Sequence, residues 1–389
     1  VRPLATFALE TYKDDPCINF KPKVFDYKMY LKQDEETISK IHKAISIIQF
    51  KVEGNLIKKH PEYKMGNRLF LDCINYNKGI VEINGKKYEL NDKNFPTIDP
   101  KDPYALTEEE EEIIDRLKES FKNSESLQKH INFLYSKGSI YRCFNSNLLF
   151  HGCIPMEENG EFSTIDLYGN RVSGKEYLDC IEQVISKAYT EKDNNLIDEN
   201  ALDAMWYFWC GEKSPVFGKD KAATFERYFT EDKDLKKEKK NPYYSLVQNE
   251  EICNKIFREF GLNEKNSHII NGHIPVKEKD GESPIKANGK LLVIDGGFAK
   301  SYRKETGRAG YTLTYNSYGL ILAANEPFDS KMTAIKEAQD IKYDIMVNEK
   351  AAKRLRVSDT DIGKGIQKDI DALKMLLEAY KSGKIKETI

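Results

Sequence analysis

The sequence predicts a mixed α+β fold, on three observations. Short apolar runs end at glycine turns that carry one polar side chain: residues 268–270 run into Asn271-Gly272-His273, residues 291–294 into Asp295-Gly296-Gly297, and residues 147–150 into His151-Gly152-Cys153. Each reads as a buried strand stopping at a turn. Elsewhere, apolar residues recur at three- and four-residue steps over long stretches, the period of amphipathic helices. Asn84-Gly85, between two runs of alternating character, suits the positive φ angles of a tight hairpin turn.

The 389 residues are 40% hydrophobic, enough for one large or two medium cores. With 61 basic and 63 acidic residues the net charge is -2, which argues against a general nucleic-acid surface while leaving local basic pockets open. Mean hydropathy is -0.64. No apolar run approaches the ~20 residues of a membrane span and no signal-peptide pattern opens the chain, so a soluble, cytoplasmic protein is expected. The seven cysteines are scattered and lack CxxC spacing, which predicts reduced thiols and no thiolate metal site. The chain opens on Val1 without an initiator methionine, which leads us to expect a piece of a longer one.

Taken in order, residues 1–30 are aromatic and proline-punctuated and predict irregular structure. From Asp34 a helix is expected, with Ile38, Ile41, Ile45, Ile48 and Val52 as its stripe and His42 beside it as a structural group. Residues 79–90 form the hairpin, and the proline-rich residues 95–103 a connector. Thr107 and Glu110 make a capping box for the next helix, its glutamate run read as a solvated start. Ser173 and Glu176 open another helix that buries Tyr177, Ile181, Val184, Ile185 and Ala188. Residues 203–229 hold both tryptophans, Trp206 and Trp209, and a dense set of cations. Residues 231–240 read as a mobile surface loop, and residues 248–260 as a helix stopped by Gly261, with Ile252, Ile256, Phe257 and Phe260 inward. Residues 311–318 are β-rich, and Ile362, Ile366, Ile370, Leu373 and Leu377 mark one face of a long last helix.

The chemistry starts from His151 and His273, each beside a glycine at a strand end. Neutral imidazoles are common ligands of Zn, Mn and Fe, and two strand ends can bring them to one ion. Two donors fall short of the four to six or so of a hydrolytic centre. Asp295 ends the next strand and reads as ligand, orienting group or plain turn residue. The competing reading of the histidines is structural, as turn residues bonded to backbone. Lys213, Lys219, Lys221 and Arg227 could clamp a phosphorylated substrate or form an ordinary basic loop, and Lys286 is a weaker candidate for the same role. No GxxxxGK[ST] loop and no GxGxxG after a strand is present.

The segments LLFHGCIPM (148–156), WYFWCGEKSPVFGKDKAATFERYF (206–229), INGHIPVK (270–277) and PIKANGKLLVIDGGFAKSY (284–302) resemble class III fructose-1,6-bisphosphatases, as do IHKAISIIQFKVEG (41–54) and NFPTID (94–99). That bacterial family is built on the calcineurin-like metallophosphatase fold. The resemblance implies a two-metal, manganese-dependent hydrolase that removes the 1-phosphate of fructose 1,6-bisphosphate in gluconeogenesis. His151 matches the histidine of the HG block and His273 that of the GH block, both on the second metal. Many members have GHxH where this chain has Pro275. The D-x-H, GDxxDRG and GNH[DE] blocks that complete the metal set are not found in residues 1–389.

What the resemblance implies for this chain is therefore the C-terminal portion of such an enzyme, with no catalytic group of its own. It would hold part of a four-layer metallophosphatase-like β-sandwich flanked by helices, incomplete at the N-terminal side. The expected divisions are a helix-rich insertion with a β-hairpin (1–145), the C-terminal half of the metallophosphatase domain (146–330) and a helical extension (331–389). A dinuclear Mn2+ site is expected in the complete protein, with a sugar bisphosphate as partner, neither nucleic acid nor membrane, and homo-oligomerisation left open. Two other readings stand beside it: a non-catalytic module as it is, or a metallophosphatase acting on another phosphate ester or a phosphoprotein.

Overall fold

In a computed structural model of the chain, the residues described are 2–22, 32–167, 169–190, 198–297, 306–307, 310–326, 331–338, 343–351 and 353–385. They are mixed α and β, with several sheets and eleven α-helices among the described residues. Two compact units emerge: Val1–Ser139 with Ser163–Asn241, and Ile140–Phe162 with Pro242–Ile389. The sequence boundaries at 145 and 330 group the residues differently, since the segment from Ser163 to Asn241 joins the first unit. Among the described residues no helix is long and apolar enough to cross a membrane.

The first unit opens with α1 (Arg2–Thr11), where irregular structure was expected; Leu4, Ala8 and Tyr12 place an apolar face of this segment in the core. Residues 23–30 of that expectation lie outside the described residues. The long α2 (Lys32–Lys59) follows. Of the expected stripe, Ile48 is buried and Ile41 and Ile45 pack against the core, while Val52 is exposed; Lys43, Ala44, Ile47 and Lys51 are buried beside them. Lysines reach this core because each meets an acceptor there. Lys43 Nζ lies 2.5 Å from Asp15 and 2.6 Å from Asp92. Lys51 Nζ lies 2.6 Å from Glu110. His42 is structural, as expected: its Nδ1–H donates to the Phe20 carbonyl and its Nε2 accepts from the Tyr228 hydroxyl.

The hairpin is β1 (Ile74–Asn75), β2 (Ile80–Ile83) and β3 (Lys86–Glu89), with Asn84 and Gly85 at φ 52° and 73° in its turn. Helix α3 (Glu108–Lys122) carries the full capping box of Thr107 and Glu110. Glu110 is not solvated, however: it is 1% exposed because Lys51 holds it. Helix α4 (Glu125–Lys137), the β6–β7 ribbon (Ile165–Leu167, Asn170–Val172), α5 (Gly174–Thr190), α6 (Glu199–Cys210) and the short α7 (Thr224–Phe229) complete this unit. The core joins Phe20, Ile47, Phe70, Tyr104, Phe225 and Phe229.

Asp15 predicts how this unit responds to acid. Burial raises its pKa, but hydrogen bonds from Lys43, the Cys17 N–H and Asn94 outweigh that and hold it below the ordinary carboxylate value. A depressed carboxyl contributes stability above its unfolded pKa and loses it as pH falls through the lower folded value. Urea midpoints of wild type should therefore fall more steeply than those of Asp15→Asn on acidification below the usual carboxylate range; parallel curves would contradict this.

In the second unit a five-stranded sheet runs in the order β4 (Tyr141–Phe144), β5 (Asn147–Phe150), β8 (His268–Asn271), β10 (Leu291–Val293), β9 (Ile285–Lys286). The three inner strands are parallel and the two edges antiparallel. Inner strands covered on both faces need continuous apolar sequence, which is what β8 and β10 have. Helix α8 (Tyr243–Leu246) and α9 (Glu250–Glu259) precede β8, α9 capped by Asn249 and burying Cys253, Ile256 and Phe257. A three-stranded antiparallel sheet, β11 (Gly310–Asn316), β12 (Gly319–Asn325) and β13 (Tyr343–Lys350), follows. It joins the first sheet through Ile270, Leu292 and Leu320. Gly296 is required there, since a Cβ would sit 2.6 Å from the Gly310 Cα.

Helix α10 (Lys331–Glu337) is short, and α11 (Asp361–Lys381) is the long last helix. The long last helix is present as expected, and its apolar face is exposed: Ile362, Ile366, Ile370, Leu373 and Leu377 are between 39% and 64% exposed.

Candidate functional site

Register brings the two histidines together. Strand β5 pairs with β8 so that Leu149 faces Ile270, and both strands end at the same level. The Gly272 N–H then donates to the His151 carbonyl at 3.0 Å, tying one turn to the other. Across this link His151 Nε2 lies 3.0 Å from His273 Nδ1, although the residues are 122 positions apart. The rings stand edge-to-face, with centroids 4.9 Å apart. His273 is held at φ 67°, a left-handed conformation that costs a non-glycine residue energy and is enriched at functional sites.

Asp295 follows β10 by two residues and lies against the Gly272 turn. Its side chain packs against Gly272, where an added Cβ would lie 3.5 Å from the Asp295 Cβ, and its Oδ1 accepts from the Gly297 N–H at 2.9 Å. Beneath the turns, Asn271 is 4% exposed. Its amide donates to the Gly152 carbonyl and to the Tyr243 hydroxyl, each at 3.0 Å, while its Oδ1 has no partner among the described residues. The floor around it is apolar enough to raise the Tyr243 and Tyr244 hydroxyls well above their usual range and to push the Cys153 thiol up to about 12. Asn271 thus connects the residue after His151 to the residue before the Gly272-His273 turn. The sequence reading saw it only as part of a turn; an amide at the end of an otherwise apolar strand was the available signal.

Replacing Asn271 by alanine should cost about 1–3 kcal/mol in a urea titration, because the Gly152 carbonyl and Tyr243 hydroxyl lose a buried donor. A loss under ~0.5 kcal/mol would mean that the amide does not hold the turns.

Of the five proposed phosphate contacts, four lie in the first unit and Lys286 in the second. Lys213, in the first unit, donates to the Thr164 carbonyl. Lys219 and Arg227 both meet Glu238 at 2.8 Å. Lys221 lies 3.3 Å from Glu226, which itself holds Arg68. Lys286, in the second unit, is paired with Glu282. Four of the five face carboxylates supplied by this chain, two of them by Glu238. That glutamate also anchors residues 231–240, which the sequence reading had as a mobile loop: a backbone bridge joins Lys219 to Lys240, and Leu235 is buried.

Two imidazole nitrogens that share an ion, each about 2.0–2.1 Å from it, stand about 3 Å apart on adjacent coordination positions. The observed separation fits that arrangement as well as it fits a direct hydrogen bond. Among the described residues no group of three or more His, Cys, Asp and Glu stands close enough to hold an ion. The two imidazoles are thus too few by themselves to hold an ion among the described residues.

The chain is a mixed α and β protein in which two imidazoles meet at adjoining parallel strand ends. The chain belongs to the Firmicute fructose-1,6-bisphosphatase family, whose pattern matches residues 1–382. It is 55% identical to a fructose-1,6-bisphosphatase class 3 of Clostridium tetani, over 100% of this chain and 58% of that protein. Proteins of the same description from Alkaliphilus metalliredigens and Clostridium novyi are 56% and 54% identical, each over 99% of this chain and 58% of the relative. The chain thus spans 58% of the length of the curated relatives it matches. No solved structure matches it.

Proposed function

We propose that this chain works within a manganese-dependent fructose-1,6-bisphosphatase, a cytoplasmic enzyme that releases phosphate from fructose 1,6-bisphosphate in gluconeogenesis. The observation that carries the reading is the 3.0 Å approach of His151 to His273 at neighbouring strand ends. The names of relatives more than half identical over almost the whole of this chain support the substrate. In a metallophosphatase-like fold the two histidines would hold one metal of a dinuclear site, and such ions neutralise phosphoryl oxygens and lower the pKa of water. The chain's own contribution is positional: parallel strands aim the rings, and Asn271 and the Gly272 N–H fix their turns. Lys213, Lys219, Lys221, Arg227 and Lys286 remain the proposed phosphate contacts, and a phosphate at the paired ones would displace Glu238, Glu226 or Glu282. Asp295 is a further donor candidate.

Phosphate release from fructose 1,6-bisphosphate and from phosphopeptides, each with and without manganese, tests the reading. Faster release from the sugar with manganese supports it; preference for the peptide would move the assignment to another phosphate ester. A second reading rests on the shortage of donors around the histidines among the described residues. It makes this chain, taken alone, a non-catalytic module, and predicts neither tight manganese binding nor turnover from it.

Self-association belongs to the same reading. In α11, Ile366, Ile370, Leu373, Leu377 and Tyr380 follow alternating four- and three-residue steps, and all are exposed. In a parallel pair of such helices Asp369 of one copy would face Lys374 of the other. Leu373→Glu should shift the sedimentation of a dimer to that of a monomer; a wild-type chain that is already monomeric at high concentration would refute the pairing.

A further inference from the structure

Apart from the histidines, the first unit contains a cavity of about 60 Å3 whose chemistry the phosphatase reading leaves unused. It lies between α2, α6 and α7, and its walls include Phe50, Tyr104, Trp206, Trp209 and Phe225. Tyr104 reaches it by lying on Gly54, where a Cβ would come within 2.0 Å of the ring. One carboxyl, that of Glu53, lines the space. Its Oε1 accepts from Gln49 at 2.8 Å and from the Trp206 indole N–H at 3.3 Å. Its Oε2 receives no hydrogen bond among the described residues.

Among the described residues no cation forms an ion pair with this carboxyl, although Arg68 is near enough to lower its pKa. Arg68 also lines the cavity but is committed elsewhere, to Glu226 at 2.6 and 2.9 Å, to the Ala222 carbonyl at 2.7 Å and over the Phe70 ring at 4.5 Å. A carboxylate in an aromatic enclosure without a countercharge is costly. Burial accordingly raises the Glu53 pKa, against the lowering effect of Gln49, Trp206 and Arg68. A ligand cation would remove that cost, and aromatic faces attract cations through their quadrupoles. A volume of about 60 Å3 limits the head group to a small one. Trp209, 62% exposed, leaves a way in.

We propose that this cavity binds a small alkylammonium ion, its charge on Glu53 Oε2 and its carbons against the aromatic walls. The site is independent of the histidine pair and of the reaction assigned to it.

The test titrates the full chain with ethylammonium and, separately, with ethanol as its neutral counterpart, following tryptophan fluorescence and ligand-observed NMR saturation transfer. Saturable binding of ethylammonium is expected, with ethanol weaker by about tenfold or more, the worth of a charged hydrogen bond. Glu53→Gln keeps the shape and should lose the same factor. Should that variant not fold, the wild type still decides, since its ethylammonium affinity must fall as pH drops and Glu53 takes up a proton. Equal binding of alcohol and ammonium, an unchanged affinity in folded Glu53→Gln, a pH-independent affinity, or no binding to the wild type would each overturn the proposal.

Discussion

Manganese and turnover should disappear together when His273 is replaced by alanine in the full-length protein. Changing a group that only supports a metal ligand costs about 10–100-fold, so removal of a ligand should exceed about 100-fold in activity and lower the bound metal per chain. The geometry sharpens the experiment. His273 sits at φ 67°, where glycine is unstrained. His273→Gly should therefore be about 1 kcal/mol more stable to urea than His273→Ala, yet equally inactive. His151→Ala should give the same loss, and the double variant little more, since both rings serve one 3.0 Å contact. Metal stoichiometry and activity that survive either substitution would remove the histidines from the centre.

The largest effect on stability is expected at Lys51. Its ammonium is 0% exposed and donates to Glu110 and to the Thr97 carbonyl, both at 2.6 Å. Lys51→Met leaves the Glu110 carboxylate buried without its cation, and breaking a buried pair in this way costs about 3–5 kcal/mol. Glu110 also accepts from the Thr107 N–H at the start of α3, so the damage should spread to that helix end. Adding Glu110→Gln to Lys51→Met neutralises the stranded charge while keeping an acceptor for the cap. It should recover more than half of the lost stability in urea titrations. A Lys51→Met midpoint within ~0.5 kcal/mol of wild type would show that the pair is not buried in solution.

Local pattern made several elements legible. The Asn84-Gly85 turn, the Thr107 capping box, the helix before Gly261 and the three strands ending at His151, His273 and Asp295 depend on residues near one another in the chain, and the structure has each of them. The candidate site was legible to the extent that two histidines followed two strands. That β5 and β8 are neighbours, so that the rings meet, is a matter of strand order, which no local period records.

The misreadings have one origin. A lysine read alone is a surface residue, and Lys43 and Lys51 are buried only because Asp15, Asp92 and Glu110 arrive from distant segments. The Glu110 start and the loop at residues 231–240 were read as solvated for the same reason, while Glu238 in fact gathers Lys219 and Arg227. The stripe of α11 was legible as a face of the last helix, but amphipathic spacing does not say what covers it, and the face is exposed.

By itself, then, the sequence determined the Asn84-Gly85 turn, the Thr107 cap, several of the helices and strands, which turns carry imidazoles, and the family to which the chain belongs. Those depend on backbone preferences and on strings of residues that act over a few positions. Only the tertiary structure decided which charges are interior, that His151 and His273 meet, and that Glu53 lines an aromatic cavity. Each of these is a contact between remote segments, and its energy exists only once the chain has closed on itself.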